Sequence, residues 1–443
     1  MLRGLTLGRR AWFPFVNPGK AALVLISALV VALAVVPLLF LLWDSFKEVT
    51  LGNLLDLSVD NFTLKNFRAA YADPRSLGML GNSFYFAFGS MLVAFVFGGT
   101  IAFLVERTNT PYRNVIYGLM YIPLVMPSMI KAFAWILLLS PTIGILNKAW
   151  FFFGFTDPIF NSYSVPAMFW VEGLSMSPLT FLLLGASLRA MDPSLEEAAY
   201  TSGAGKAVTL LRVTFRLMTP ALAGIALLQF VRGLEAFEVP LLMGAGQGVM
   251  VFSTNVFFAI REYNPPLYGE AFVFSLVLIF FCFIGLLLYQ KAMSRAERYA
   301  TITGKGYRPR LMDLGQWRPL AAGFVFFFLA VSAILPFLVL LWASLLPFYQ
   351  VPSREALGTI TWANYASIIN RRDITLILRN TAILSVLVSV GGMVLATIIS
   401  WVVIRMRVKG GRLLDNLVFI PYAVPAVAFG LSYMILFLMF PNP

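Results

Sequence analysis

An all-α polytopic membrane bundle is the fold class this sequence predicts, from its apolar content, its long apolar runs and the placement of its cations. Hydrophobic residues fill 60% of 443 positions and charged residues 12%, against roughly 45–50% and 25% in soluble domains. Runs of about 18 or more apolar residues read as spanning helices, because the hydrocarbon core offers backbone amides no partner outside their own helix. Nine runs predict spans at 21–43, 80–104, 114–139, 164–188, 218–242, 270–290, 320–346, 378–404 and 413–439. Of the 33 Lys and Arg residues, 21 fall in the N-terminal segment and the alternate connections on its side. That bias predicts a cytoplasmic N-terminus.

Residues 1–20 carry Arg3, Arg9, Arg10 and Lys20, and Ala32-Leu33-Ala34 offers a small-residue tripeptide in the first run. The apolar core continues to Trp43, too long for a cleaved signal, so an uncleaved anchor is expected. The third run contains Pro123, Pro127 and Lys131; an unpaired cation there costs roughly 3 kcal/mol. Lys131 is expected either to serve the translocation path or pair with an acid, or to snorkel to the outer interface. In the fifth run Arg232, Glu235 and Glu238 stand at helical spacing, which predicts one charged face lining a path, or a structural ion pair. Cys282, in the sixth run, is the single cysteine and there is no histidine. That excludes a disulfide framework and a Cys/His metal site, and no cofactor or metal is expected. The net charge of +13 is scattered over loops, which points to topology and the anionic headgroups of the lipid bilayer and not to nucleic acid.

The chain repeats itself at an offset of 298: Asn66 falls on Asn364, Asn82 on Asn380, Arg107 on Arg405, Pro123 on Pro421 and Pro127 on Pro425. This predicts one six-span unit at 21–290, a basic linker at 291–319 and the first three spans of a second unit at 320–443, the two related as parallel repeats. The paired prolines interrupt corresponding helices and point weakly to the path. At this offset a copy of the polar 196–220 segment would fall near position 495, so the sequence is expected to continue in its full product.

That polar segment, Glu196 to Pro220, holds Gly203-Ala204-Gly205-Lys206. A phosphate loop would need glycine where Tyr200 stands and a hydroxyl where Ala207 stands, so direct ATP binding is excluded. Its grammar is helix, turn, helix. Asp192 or Ser194 can cap, Glu196 and Glu197 occupy the first turn, Gly203 and Gly205 break the run, and an amphipathic stretch follows at 206–218.

Glu197-Ala198-Ala199, Gly203 and Val213, preceded by Glu196 and followed by Ala204, resemble the EAA loop of binding-protein-dependent ABC importer permeases. The segment also lies between the fourth and fifth runs, where that family carries it. The leucine-proline pair expected after the aliphatic residue reads Phe215-Arg216, although Pro220 matches a later proline. "NSFYFAFGSMLVAFVFGGTIAFLVERT" and "MDPSLEEAA" extend the resemblance. It implies a bacterial inner-membrane transport subunit, itself no enzyme, working with two cytoplasmic ABC ATPase subunits that receive the loop as a coupling helix and with a periplasmic substrate-binding protein. A fused chain with two such units is most similar to ferric iron permeases, with thiamine, polyamine and phosphonate importers as relatives. The competing classes are an ion-coupled secondary transporter, which needs midplane carboxylates and no such loop, and an inactive scaffold. An adjacent ATPase gene and secreted binding protein would separate them.

Overall fold

In a computed structural model, residues 18–48, 61–72, 74–191, 194–296, 311–406 and 410–439 are described. The described residues are helical, apart from turns and two isolated bridges, Lys47–Phe62 and Thr108–Met312. Seven helices are long and apolar enough to cross a membrane: α1 (Lys20–Ser45), α2 (Arg75–Arg107), α5 (Val165–Ala190), α7 (Lys206–Glu235), α10 (Tyr268–Ser294), α11 (Gly315–Ser344) and α12 (Ile374–Arg405). Two bent pairs add to them, α3 (Arg113–Val125) with α4 (Ser128–Leu139) at 87°, and α8 (Glu238–Gln247) with α9 (Phe252–Arg261) at 70°. The polar segment that follows α5 opens with α6 (Ser194–Thr201), and α13 (Gly411–Phe419) and α14 (Ala426–Met439) close the series.

Seven predicted runs thus appear as long helices, and three details change. The third run is a broken span. The fifth does not run from 218 to 242: α7 starts at Lys206 and stops at Glu235, where Ala236 turns to extended backbone (ψ 133°). The ninth is two helices joined by the 3-10 turn Ile420–Ala423. The arms of α8 and α9, ten residues each, are about 15 Å long, half of a ~30 Å hydrocarbon core. Their fold therefore reads as a re-entrant hairpin that leaves the order of spans unchanged.

The described residues form two compact units, one from those of Met1–Phe40 and Arg371–Tyr422, the other from those of Leu41–Asn370 and Ala423–Pro443. In the smaller, Ile26, Val30 and Ala34 of α1 pack with Val402 of α12 and Leu414 of α13. The larger is centred on α2, α5, α7 and α10. Close approach there rests on small residues, as in membrane bundles generally. A Cβ on Gly98 would collide with Ser177 O, one on Gly173 with Ser90 O and Val93, and one on Gly233 with the backbone of Ala87. Helix α11 joins this core by laying Phe324 and Phe328 on Phe97, with centroids 5.7 and 5.4 Å apart.

The repeat reappears as geometry. Both first spans contain a π-turn, Val31–Val35 and Ala330–Ile334, just ahead of Pro37 and Pro336, whose missing N–H and bulky ring disturb the regular ladder. At the far ends of these spans the Asn66 amide donates to Ser45 O and Lys47 O (3.0 and 2.5 Å), and the Asn364 amide to Ser344 O and Leu346 O (3.1 and 2.7 Å). Thr63 N–H bonds Phe46 O and Thr361 N–H bonds Leu345 O.

Candidate functional site

Helix α6 carries Glu196 and Glu197 in its first turn, where carboxylates complement the helix dipole. Its possible cap Asp192 lies outside the described residues. The helix ends at Gly203, whose φ of +84° is left-handed. Gly203 N–H bonds Tyr200 O and Ala204 N–H bonds Ala199 O, both at 3.0 Å, the paired bonds of a Schellman ending. A Cβ at Gly203 would meet no neighbour within 4 Å, so the demand for glycine is conformational. Gly205 is extended and opens α7, whose first turns, through the π-turn Leu210–Thr214, form the second helix of the motif.

The two glutamates differ in their surroundings. Glu196 points at the bundle: Arg107 Nη1 donates to its Oε2 at 3.2 Å and Thr214 Oγ1 to its Oε1 at 2.6 Å. Arg107 is itself buried, and its Nη2 donates to Leu188 O at 3.1 Å. Glu197 and Ala198 are exposed, Ala199 and Val213 half-buried. Glu196 and Tyr200, one turn apart, line a cavity of about 340 Å³ with Ala204, Lys206 and Leu311–Asp313. The chain entering α11 forms the far wall and is pinned to the end of α2. Met312 N–H bonds Arg107 O (2.8 Å), Asn109 N–H bonds Met312 O (3.1 Å), and the Asn109 amide donates to Asp313 (2.5 Å). The Gly315 N–H and the Asn109 amide hold the Asp313 carboxyl below its usual 3.8. Beside this, Arg189 approaches Glu106 at 3.7 Å and lies over the Tyr117 ring at 5.2 Å.

Within the spans, Lys131 is 1% exposed and its ammonium donates to Pro123 O at 2.6 Å. It therefore does not snorkel. Pro127, at the break between α3 and α4, has no N–H to offer the carbonyls behind it, and Lys131 reaches back across the bend to take one. Glu172, at 8% exposure on α5, feels the charges of Arg232, Glu238 and Lys131. Arg232, Glu235 and Glu238 do not share one helical face, because α7 ends at Glu235 and Glu238 starts α8. The charge of Arg232 instead acts on both Glu172 and Glu235. Pro123 and Pro425 are buried, Pro421 half-buried and Pro127 exposed. Sequence reasoning missed Glu172 and the pairing of Arg107; an acid eight residues into an apolar span was the available signal for the first.

Residues 74–298, just over half of the chain, match the model of the binding-protein-dependent transport system inner membrane component family. The chain belongs to that family. It is 26% identical over 368 residues to the ferric transport system permease protein FbpB of Actinobacillus pleuropneumoniae, covering 81% of this chain and 51% of that one. To the putative ferric transport system permease protein FbpB 1 of Haemophilus influenzae it is 26% identical over 372 residues, covering 81% and 56%. The spermidine/putrescine transport system permease protein PotB of Escherichia coli is 28% identical over 193 residues, covering 43% and 69%. The chain thus spans about half the length of the ferric relatives it matches. A solved bacterial alginate ABC transporter, in complex with an alginate pentasaccharide-bound periplasmic protein, aligns with a TM-score of 0.44 and 18% identity over 54% of this chain and 84% of that one.

Proposed function

We propose that this chain is the permease part of an ATP-driven importer of the bacterial inner membrane, with its N-terminus in the cytoplasm. A first permease domain at 21–290, a linker at 291–319 and the start of a second at 320–443 would be moved by two ATPase subunits and fed by a periplasmic binding protein. The observation that carries this reading is α6: a short helix inside the family-matched region, attached to the bundle through Glu196 while Glu197 and Ala198 face outward. That exposed face suits a cleft in an ATPase subunit, and the small Ala198 side chain permits close approach. ATP-driven closure of the ATPases then displaces α6 and, through it, the spans α5 and α7 on either side.

Ferric iron is the substrate we infer, because the two relatives covering 81% of this chain are named for ferric transport. The PotB match favours a polyamine as the second reading. The test is uptake of radiolabelled ferric iron or spermidine by cells carrying the transporter with its ATPase and binding protein. Glu197→Arg and Gly203→Pro are expected to leave the permease in the membrane, release the ATPase on purification and abolish ATP-dependent uptake. ATPase retention unchanged in both variants would remove the coupling role.

A further inference from the structure

We propose that Arg107 and Glu196 form the mechanical link that carries motion of α6 into the membrane spans, a role distinct from contact with the ATPase. The inference rests on the coupling-loop reading above and assigns it an internal half.

Helix α6 buries none of its residues, and the cavity of about 340 Å³ lies against its Glu196–Tyr200 side. Broad apolar packing therefore does not transmit its movement. Glu196 carries the ion pair that ties α6 to buried groups of the bundle. Glu196 is met by the guanidinium at the end of α2 and by Thr214, the last residue of the π-turn in α7. The same guanidinium holds Leu188 O near the end of α5. Two spans meet at Glu196, whose exposure is 15% against 7% for Arg107, and the third, α5, joins through Arg107. The planar guanidinium fixes direction as well as distance, reaching Glu196 and Leu188 O with its two terminal nitrogens. A push on α6 is delivered through Glu196 and Arg107 to α2, α5 and α7 together, while the exposed Glu197 stays available for docking.

The test uses the complete transporter in proteoliposomes with its ATPase and ferric-loaded binding protein, reading ATPase retention, ATP hydrolysis and iron uptake separately. Glu196→Gln and Arg107→Gln are expected to keep the ATPase bound and hydrolysing, while uptake falls by about tenfold or more, within the range of ordinary coupling free energies. ATP consumed per iron rises accordingly. The double exchange Arg107→Glu with Glu196→Arg is expected to recover a substantial part of the uptake, which a merely structural loss would not. If Arg107→Gln fails to accumulate, Arg107→Lys keeps the charge without the fork and is expected to give partial uptake with full ATPase retention.

Unchanged ATP-to-iron stoichiometry in Glu196→Gln, or in Arg107→Lys when Arg107→Gln cannot be made, overturns the proposal. Loss of the ATPase from Glu196→Gln also overturns it and makes Glu196 a docking residue. A wild-type permease that retains no ATPase removes the coupling-loop reading itself, and this inference with it.

Discussion

The asparagine clamp and the proline break both occur twice in this chain, but only the clamp is made of the same parts each time. Asn66 and Asn364 hold equivalent carbonyls with the same amide atoms. At the break the backbone repeats, Lys131 N–H to Pro127 O at 3.2 Å and Phe429 N–H to Pro425 O at 3.0 Å. The side chains do not. Lys131 ties its ammonium to Pro123 O, whereas Phe429 lays its ring beside Tyr433 at 6.1 Å. Where a repeat serves the fold alone, one solution is copied. Where the copies differ, the first break carries a charge that its repeat equivalent lacks.

The largest effect is expected at that charge. Lys131→Met leaves Pro123 O without its charged donor and removes one of the cations acting on Glu172, and losing a hydrogen bond to a charged group costs about 1.5–3 kcal/mol. The purified permease should melt several degrees lower, and adding Glu172→Gln should restore part of the loss. Phe429→Ala, at a half-buried site, is expected to cost about 1–2 kcal/mol; equal losses at both positions would mean the charge adds nothing special.

The clamp sets a middle scale. Asn66→Ala and Asn364→Ala each remove two bonds, about 1 kcal/mol apiece, and should shift the melting midpoint by similar amounts. Gly269→Ala sharpens this comparison, since a Cβ at Gly269 would strike the Asn66 side chain. It is expected to reproduce the Asn66 loss and to add little in the double variant.

The smallest effect concerns acid. The Asp313 carboxyl, held low by Gly315 and Asn109, is depressed in the folded state, so its contribution is complete above the usual 3.8 and fades only as pH falls through its lower folded value. Between pH 7 and pH 5 the join between residues 107–109 and 312–315 should therefore be indifferent to pH. Thermal melting of the purified permease at pH 7 and pH 5, beside the Asn109→Ala variant, would report it, and a loss at pH 5 that Asn109→Ala abolishes would contradict the assignment.

The long helices were legible because apolar length alone specifies a span, and the loop was legible because Gly203 and Gly205 interrupt an otherwise helical run. The end of α7 was not. The run through Ala236 and Phe237 contains no strong breaker, and Pro240 lies inside the first turns of the next helix, where it is tolerated. Adjacent glutamates are about 100° apart on a helix, and the sequence alone did not show that Glu196 and not Glu197 meets Arg107 and Thr214. Glu172 draws on charges from α4, α7 and α8, a grouping that no single periodicity contains.

Gly98, Gly173 and Gly233 contribute almost no mass to the bundle, yet each occupies a place where a single methyl group would meet another helix. A genetic scan of this region would then show an inverted profile of tolerance. Bulky exposed residues such as Leu92 and Val96 should accept many apolar replacements, while the smallest residues accept almost none, whatever the polarity of the replacement. For membrane helices of this kind, volume at a handful of positions is the variable that variation is least free to change.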